Sequence, residues 1–487
     1  MTPNVERCTL GRDFLISRVL TGLWQIADME RDGRRVDFGR AAESMDRYVA
    51  AGFTTFDMAD HYGSAELMAG AYRKCHPDVD TQFLTKWVPK PGPISREDVR
   101  TAVVRALDRM GVGTIDLLQF HTWTYAHPAW LDALFHLQDL KREGLIRHIG
   151  LTNFDTAHLR IAVKSGIEAV SNQISFSLLD RRAAGRMTEF CLVHGIKLLA
   201  YGTVAGGWLT EKWLNKEEPD WEHSGTWSRM KYGRFIRAAG GWAALQQVLR
   251  TLERVSKRHG VSMANVASRF ILEQPAVGGV IIGARLGESE HGADNLRVFS
   301  FSLTSEDRNE IEGACTALIP IPGDAGDEYR RPPFLTASGD LSHHVADFPP
   351  PYVVEPGRDG RTLCLSGTPW ETLAGYARAI RHGSRILVSG TTAIHAERII
   401  GGDDPAAQMH FVIDKVEGAL HSLGGKLENV LRTRVFVRNI TDWEEVARAH
   451  GERFGAIQPA NTLVQANLVG EEFRVEMEAE ADVEEQA

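Results

Sequence analysis

From residue 16 to about 315, short apolar or β-branched runs alternate with stretches of helical periodicity, and this alternation limits the possible folds more than any other feature. The runs are "ISRVLTGLW", "FTTFDMA", "TQFLTKW", "TIDLLQFHT", "LIRHIGLTN", "EAVSNQIS", "IKLLAYG" and "VGGVIIGA". Between them lie patterns such as "EDVRTAVVRALDRMG", where Val99, Val103, Ala106 and Met110 share a face. Strands alternating with helices call for parallel pairing, and eight such units closing on themselves make an α/β protein of the (β/α)8 TIM-barrel type. The rival is an open doubly wound sheet, but its GxGxxG signature after the first strand is absent. Residues 205 to 241, rich in Trp and Gly, read as an inserted loop over one mouth.

Near residue 320 the pattern changes. "IPIPGDAGDEYRRPPFLTASGDLSHHVADFPPPYVVEPG" has little periodicity and many turn formers, so it reads as an extended tail and linker. Strand-like and helical stretches resume after it, and Val412, Val416, Ala419, Leu420 and Leu423 share a helix face that could cover a sheet. The expected organisation is a barrel over 1–320, a linker over 321–358, and a smaller α+β domain over 359–487. A net charge of -9 without a long basic block argues against a nucleic acid partner. No window approaches the ~18 apolar residues of a membrane span and the N-terminus has no apolar leader, so a cytoplasmic protein without membrane contact is expected. The five cysteines form no CxxC, which suits reduced, packed thiols, and no metal is expected.

Active groups of such a barrel sit at the C-terminal ends of its strands. Asp57 ends the second strand, Tyr62 lies in the loop beyond, Lys86 ends the third and His121 the fourth. A buried Lys86 needs an anion, and Asp57 is the nearest at that height. A cation beside a phenol favours phenolate, which makes Tyr62 a usable proton donor near neutral pH. An imidazole alongside could bond a substrate oxygen. Each residue alone has a plain structural explanation, such as a helix cap or a packed turn. Four at one height suggest a site that protonates a carbonyl while hydride arrives from elsewhere.

"FDMADHYG", "FLTKW", "DLLQFH", "IRHIGLTNF", "NQISFSLL", "LAYGTVAGG" and "IIGARLGESEHGADNL" resemble, in order and spacing, the motifs of the aldo-keto reductase superfamily. The resemblance implies that Tyr62 is the general acid/base, that Lys86 and Asp57 tune it, and that His121 orients the carbonyl. It also implies a nicotinamide cofactor. Thr152, Asn153 and Gln173 would hold its carboxamide, Tyr201 would stack on its ring, and the backbone of Gly202, Thr203 and Val204 would meet its pyrophosphate. Gly283, Arg285, His291 and Asn295 match the adenosine-end motif, and Arg285 suits a 2'-phosphate, so NADP(H) is expected over NAD(H). Trp24, Trp87 and Trp123 are candidates for the wall facing a small carbonyl or alcohol substrate, with core packing as the alternative for each.

In the second domain, "SGTTA", "GGDDPAAQMHFVIDKVEGALHSLGG", "PANTLVQ" and "VEMEAEA" resemble the YjgF-type reactive-intermediate (imine/enamine) deaminase family. The resemblance implies a chorismate-mutase-like fold and trimers with pockets between subunits. The family's carboxylate-gripping arginine is replaced by Asn461, which lacks the charged fork. Glu476 and Glu478 alternate with Val475 and Met477, as residues on a solvated face would. Three functions are compatible with these observations: a carbonyl reductase assembled by its second domain, a fused reductase and imine hydrolase, or an NADP(H)-binding scaffold without turnover.

Overall fold

The run Gln82–Trp87 is buried along its whole length, as a parallel strand covered on both faces must be. A computed structural model describes residues 4–26, 37–222, 227–288, 291–330 and 348–483. After a hairpin of β1 (Arg7–Leu10) and β2 (Phe14–Ser17), the chain forms β3 (Val19–Gly22), β4 (Thr55–Asp57), β5 (Gln82–Trp87), β6 (Ile115–Phe120), β7 (Ile146–Thr152), β8 (Ala169–Ser175), β9 (Lys197–Tyr201) and β10 (Val277–Gly283). These eight close in the order β10-β3-β4-β5-β6-β7-β8-β9, every pair parallel. The hairpin packs Leu10, Phe14 and Ile16 against Leu20, Leu84, Leu117 and Leu199. That apolar plug fills one end of the barrel and leaves the other for polar groups.

Helices α1 (Phe38–Ala50), α2 (Ala65–Cys75), α3 (Arg96–Met110), α4 (Ala129–Arg142), α5 (Thr156–Lys164) and α6 (Arg186–His194) alternate with the strands. α3 begins at a reciprocal Ser95 and Asp98 capping box and stops at Gly111 in the left-handed region. Residues 205–241, expected as a loop, contain α7 (Trp227–Ala238), which brings Lys231 and Tyr232 to the mouth. Then come α8 (Gly241–His259), α9 (Met263–Leu272), α10 (Gly292–Leu296) and α11 (Ser305–Thr316). Residues 321–330, expected as the start of an extended tail, instead pack on the barrel and include a single turn, α12 (Asp327–Arg330). Arg182 anchors that turn by bonding both Asp180 and Glu328 at 2.8 Å, with both carboxylates at 0% side-chain exposure.

The second domain runs β11 (Val353–Pro356), β12 (Thr362–Leu365), α13 (Pro369–Ala374), β13 (Ala379–His382), β14 (Arg385–Thr392), β15 (Ile394–His395), β16 (Arg398–Ile399), α14 (Pro405–Ser422), β17 (Val430–Val437), α15 (Trp443–Phe454), β18 (Ala460–Gln465) and β19 (Val475–Asp482). Seven strands form one sheet, β11-β12-β13-β14-β19-β17-β18, in which β17 and β18 are the parallel pair. The expected face of α14 is buried, with Val412, Val416, Ala419 and Leu420 each at 0% exposure. Along β19, Val475, Met477, Ala479 and Ala481 face inward and Glu476, Glu478 and Glu480 lie on the other face.

The two domains meet helix on helix, α14 against α5. At Gly418 an added Cβ would stand 2.6 Å from the Ala126 carbonyl, so the approach requires glycine. Asp404, which caps α14, also accepts from Arg160 at 2.9 Å, and His395 meets Asp132 at 2.9 Å. In the middle, His158 has Asp155 at 2.7 Å on Nδ1 and Asp414 at 3.0 Å on Nε2. Arg453 bonds the same Asp414 at 2.6 Å and Glu417 at 2.7 Å.

Burial opposes charge on His158, but the flanking Asp155 and Asp414 outweigh it and raise the imidazole above its ordinary value. Its neighbour His410 is pushed down to about 3 by burial and then by the Arg453 charge. The charged His158 therefore contributes stability that is complete below the unfolded value of about 6.5 and is lost as pH rises through the higher folded value. His410, neutral when folded, contributes stability above about 6.5 that is lost as pH falls toward its depressed value. Denaturant unfolding of the full chain followed against pH is expected to show both limbs. In His158→Gln the alkaline limb should flatten; an unchanged limb would mean that the ring carries no charge.

Candidate active site

Lys86 is 4% exposed at the end of β5 and donates to Asp57 Oδ2 at 2.6 Å and to the Met58 carbonyl at 2.8 Å. Burial pulls its ammonium below the ordinary lysine value, and Asp57 pulls the other way. Two amides complete the shell around the carboxylate. Gln119 and Gln173 donate to Asp57 Oδ1 at 3.0 and 2.7 Å, and Gln173 also donates to Gln119 Oε1 at 2.8 Å. The Tyr62 ring centre is 5.1 Å from the Lys86 ammonium, with Trp24 edge-on at 4.9 Å. His121 Nδ1 lies 3.1 Å from the Thr152 carbonyl. A carbonyl only accepts, so Nδ1 carries the proton of that bond and Nε2 is the nitrogen left for other partners.

These groups share one cavity of about 210 Å³. Of the residues expected from sequence, Asp57, Tyr62, Lys86, His121, Thr152, Asn153, Gln173, Tyr201, Gly202, Val204, Gly283, Trp24 and Trp123 line it. Trp87 does not. It is 6% exposed and packs on Phe120 at 5.6 Å, so it belongs to the core, because the strand turns its side chain outward from the mouth. Thr203 is also off the cavity, buried with its hydroxyl 3.4 Å from Ser268. Arg285, His291 and Asn295 follow β10 beyond Gly283; the first two are exposed and Asn295 is 8% exposed.

The donor set suits a planar carboxamide. Thr152 Oγ1 is buried without a partner among the described residues. Both amide hydrogens of Gln173 are engaged, leaving its oxygen to accept. Asn153 Oδ1 takes the Tyr201 hydroxyl at 2.7 Å, leaving its amide group to donate. Gly202 has φ +75°, and a side chain there would overlap the Tyr232 phenol, so bare backbone faces the cavity.

Several residues of the mouth escaped the sequence reading. Gln119 lay unnoticed inside an apolar run. Tyr329 stands edge-on to His121 at 5.5 Å and 6.3 Å from Trp123. Lys231 contacts the Tyr329 hydroxyl, and its ammonium lies 4.3 Å from the Tyr329 ring centre and 5.0 Å from that of Tyr201.

The Aldo/keto reductase family model matches residues 18–315, more than half of the chain. The chain belongs to the aldo/keto reductase family. Residues 368–483 match the Endoribonuclease L-PSP family model, so this aldo/keto reductase is fused to a YjgF-type domain. The barrel is similar to Protein tas of Escherichia coli, 28% identical over 314 residues that cover 56% of this chain and 88% of that protein. The second domain is similar to the uncharacterised protein SCO2049 of Streptomyces coelicolor, 37% identical over 117 residues, 24% of this chain and 87% of that protein. Among solved structures, the glycerol dehydrogenase AKR11B4 of Gluconobacter oxydans shares the barrel fold with a TM-score of 0.54 at 21% identity, covering 65% of this chain and 97% of that one.

Proposed function

We propose that this aldo/keto reductase interconverts a small carbonyl compound and its alcohol with NADP(H), and that Tyr62 moves the proton. The convergence of Asp57, Lys86, Tyr62 and His121 on one cavity, beside a Thr152 hydroxyl that has no partner among the described residues, carries this reading. Thr152, Asn153 and Gln173 would hold the carboxamide and Tyr201 the ring. Gly202 to Val204 would meet the pyrophosphate, and Gly283, Arg285, His291 and Asn295 the adenosine end. The exposed Arg285 guanidinium suits a 2'-phosphate and favours NADP(H) over NAD(H). The bound nicotinamide supplies or accepts the hydride.

The side chains account for the proton. Asp57, held by two amides, keeps the Lys86 ammonium in place, and two of the three Lys86 hydrogens are engaged. The third is available to the Tyr62 oxygen, where it favours phenolate and eases release of the phenolic proton to a carbonyl oxygen. Because His121 donates through Nδ1 to Thr152, a neutral ring accepts at Nε2 and so holds an alcohol hydroxyl. A second proton on the ring turns Nε2 into a donor for the carbonyl. Trp24, Trp123 and Tyr329 form an aromatic wall that suits a flat or apolar substrate and keeps water away.

The second domain acts in assembly, with a homotrimer as the expected state. The barrel covers its helical side, while the opposite sheet face presents Leu387 at 40% and Val464 at 43% exposure. Asn461 uses its amide on Thr433 at 2.9 Å and has no charge with which to grip a carboxylate. Five free thiols fit a reducing cytoplasm. The test is loss of NADPH absorbance with a panel of aromatic and aliphatic aldehydes, run beside NADH, on a sample whose mass in solution is measured. Turnover with NADPH by a three-chain particle is expected. A folded chain that turns over no carbonyl with either dinucleotide would overturn the assignment.

A further inference from the structure

Arg330 lies beyond the last barrel helix, yet it holds the backbone of two residues at the mouth. Its guanidinium donates to the Thr122 carbonyl at 2.9 Å and to the Asn153 carbonyl. Thr122 follows His121. Asn153 sits at φ 57°, a left-handed conformation that asparagine tolerates better than other non-glycine residues and that its contacts hold here. Gly326 presses on the same Asn153 carbonyl, where a side chain would collide, and Tyr201 holds the Asn153 side chain.

The other contacts of Arg330 lead out of the barrel. Its guanidinium lies 4.1 Å from the centre of the Tyr125 ring. The same phenol stacks on the His158 imidazole at 3.3 Å with the planes 4° apart. His158 is held between Asp155 and Asp414, and Asp414 belongs to the second domain. Tyr125, His158 and Asp414 are 7%, 3% and 1% exposed and Arg330 is half-buried, so the stack runs without a break from α14 to Asn153 and is dry up to the guanidinium. A phenol shared by an imidazolium and a guanidinium keeps its place only if the imidazolium charge is neutralised, and Asp155 and Asp414 do this.

We propose that Arg330 and Asp414 are positioning residues for the nicotinamide end of the site: the second domain, acting through His158, Tyr125 and Arg330, holds Asn153 in the conformation that meets the cofactor. This rests on the NADP(H) reading above. Without the Asp414 carboxylate the His158 ring loses one of its two anchors, the stack slackens, and Arg330 no longer holds both carbonyls at once. Such coupling is established only by showing that the two ends act as one unit.

The experiment uses full-length protein and measures NADPH affinity by nucleotide fluorescence, with KM and kcat for an aldehyde alongside. Arg330→Gln is expected to raise the NADPH Kd about tenfold by removing a charge-assisted fork. Asp414→Asn should raise it about threefold or more, and the double variant should be no worse than Arg330→Gln alone, because the two residues act through one network. KM for NADPH should follow Kd while KM for the aldehyde stays unchanged. Arg330→Lys keeps a cation but cannot bridge both carbonyls, and should fall between wild type and Arg330→Gln. His395→Gln breaks a different contact of the same interface and should leave Kd as it is. An Asp414→Asn or Arg330→Lys chain that melts earlier yet binds NADPH like wild type would reduce the stack to simple adhesion and overturn the proposal. A wild-type chain that binds no dinucleotide would overturn both this proposal and the cofactor reading.

Discussion

Tyr62→Phe is expected to bind NADPH as the wild type does while reducing aldehydes slower by about 10²–10⁴-fold, the usual contribution of a positioned general acid. The phenyl ring keeps its packing against Trp24 at 4.9 Å and its place over Lys86, so the pocket wall is unchanged. Only the oxygen proposed to carry the proton is lost. The residual rate should no longer depend on the ionisation of that group, and a pH profile of kcat is the most direct check. If Tyr62→Phe retains more than a tenth of the wild-type rate, the proton comes from elsewhere, and His121 is the next group to test.

The largest loss of stability is expected from Asp57→Ala. Lys86 would be left 4% exposed without its anionic partner, still bonded to the Met58 carbonyl, and Gln119 and Gln173 would lose the acceptor they share. Removing one partner of a buried ion pair costs about 3–5 kcal/mol, mostly because the other charge stays buried and uncompensated. Denaturant unfolding should show that loss in full at neutral pH and less at alkaline pH, where a lysine already depressed by burial gives up its proton. Replacing both residues, Asp57→Ala with Lys86→Met, should recover part of the stability while leaving the enzyme inactive. A single variant as stable as wild type would mean that the ammonium does not need the carboxylate to remain folded.

The barrel and its four central residues were legible because polar groups at the ends of apolar runs break a strong pattern. Asp57, Lys86 and His121 are such breaks, and strand order puts them at one height. Gln119 breaks the same pattern, but one amide inside a buried strand carries no charge to suggest that it needs a partner. For Trp87 the sequence leaves pocket wall and core equally open, because a strand buried on both faces gives no period to tell inward from outward. Tyr329 and Arg330 sit in a stretch without periodicity, fixed by the distant Asp180–Arg182–Glu328 cluster. His158 and Asp414 are 256 positions apart, and nothing local in either helix announces the other. The alternation in β19 and the buried face of α14 were legible for a different reason: each keeps a regular period of apolar positions over its length.

Chain order adds a matter of timing. On the ribosome β10 and α11 emerge before Tyr329 and Arg330, and Asp414 follows roughly 80 residues after Arg330. At about 5–20 residues per second, the delay is roughly 4 to 16 seconds. For that interval the growing protein has every barrel strand and every residue of the cavity, but the surface of α5 that will receive α14 is bare. Shielding of that surface would matter most then, and translation speed between codons 330 and 414 becomes a handle on the yield of intact enzyme.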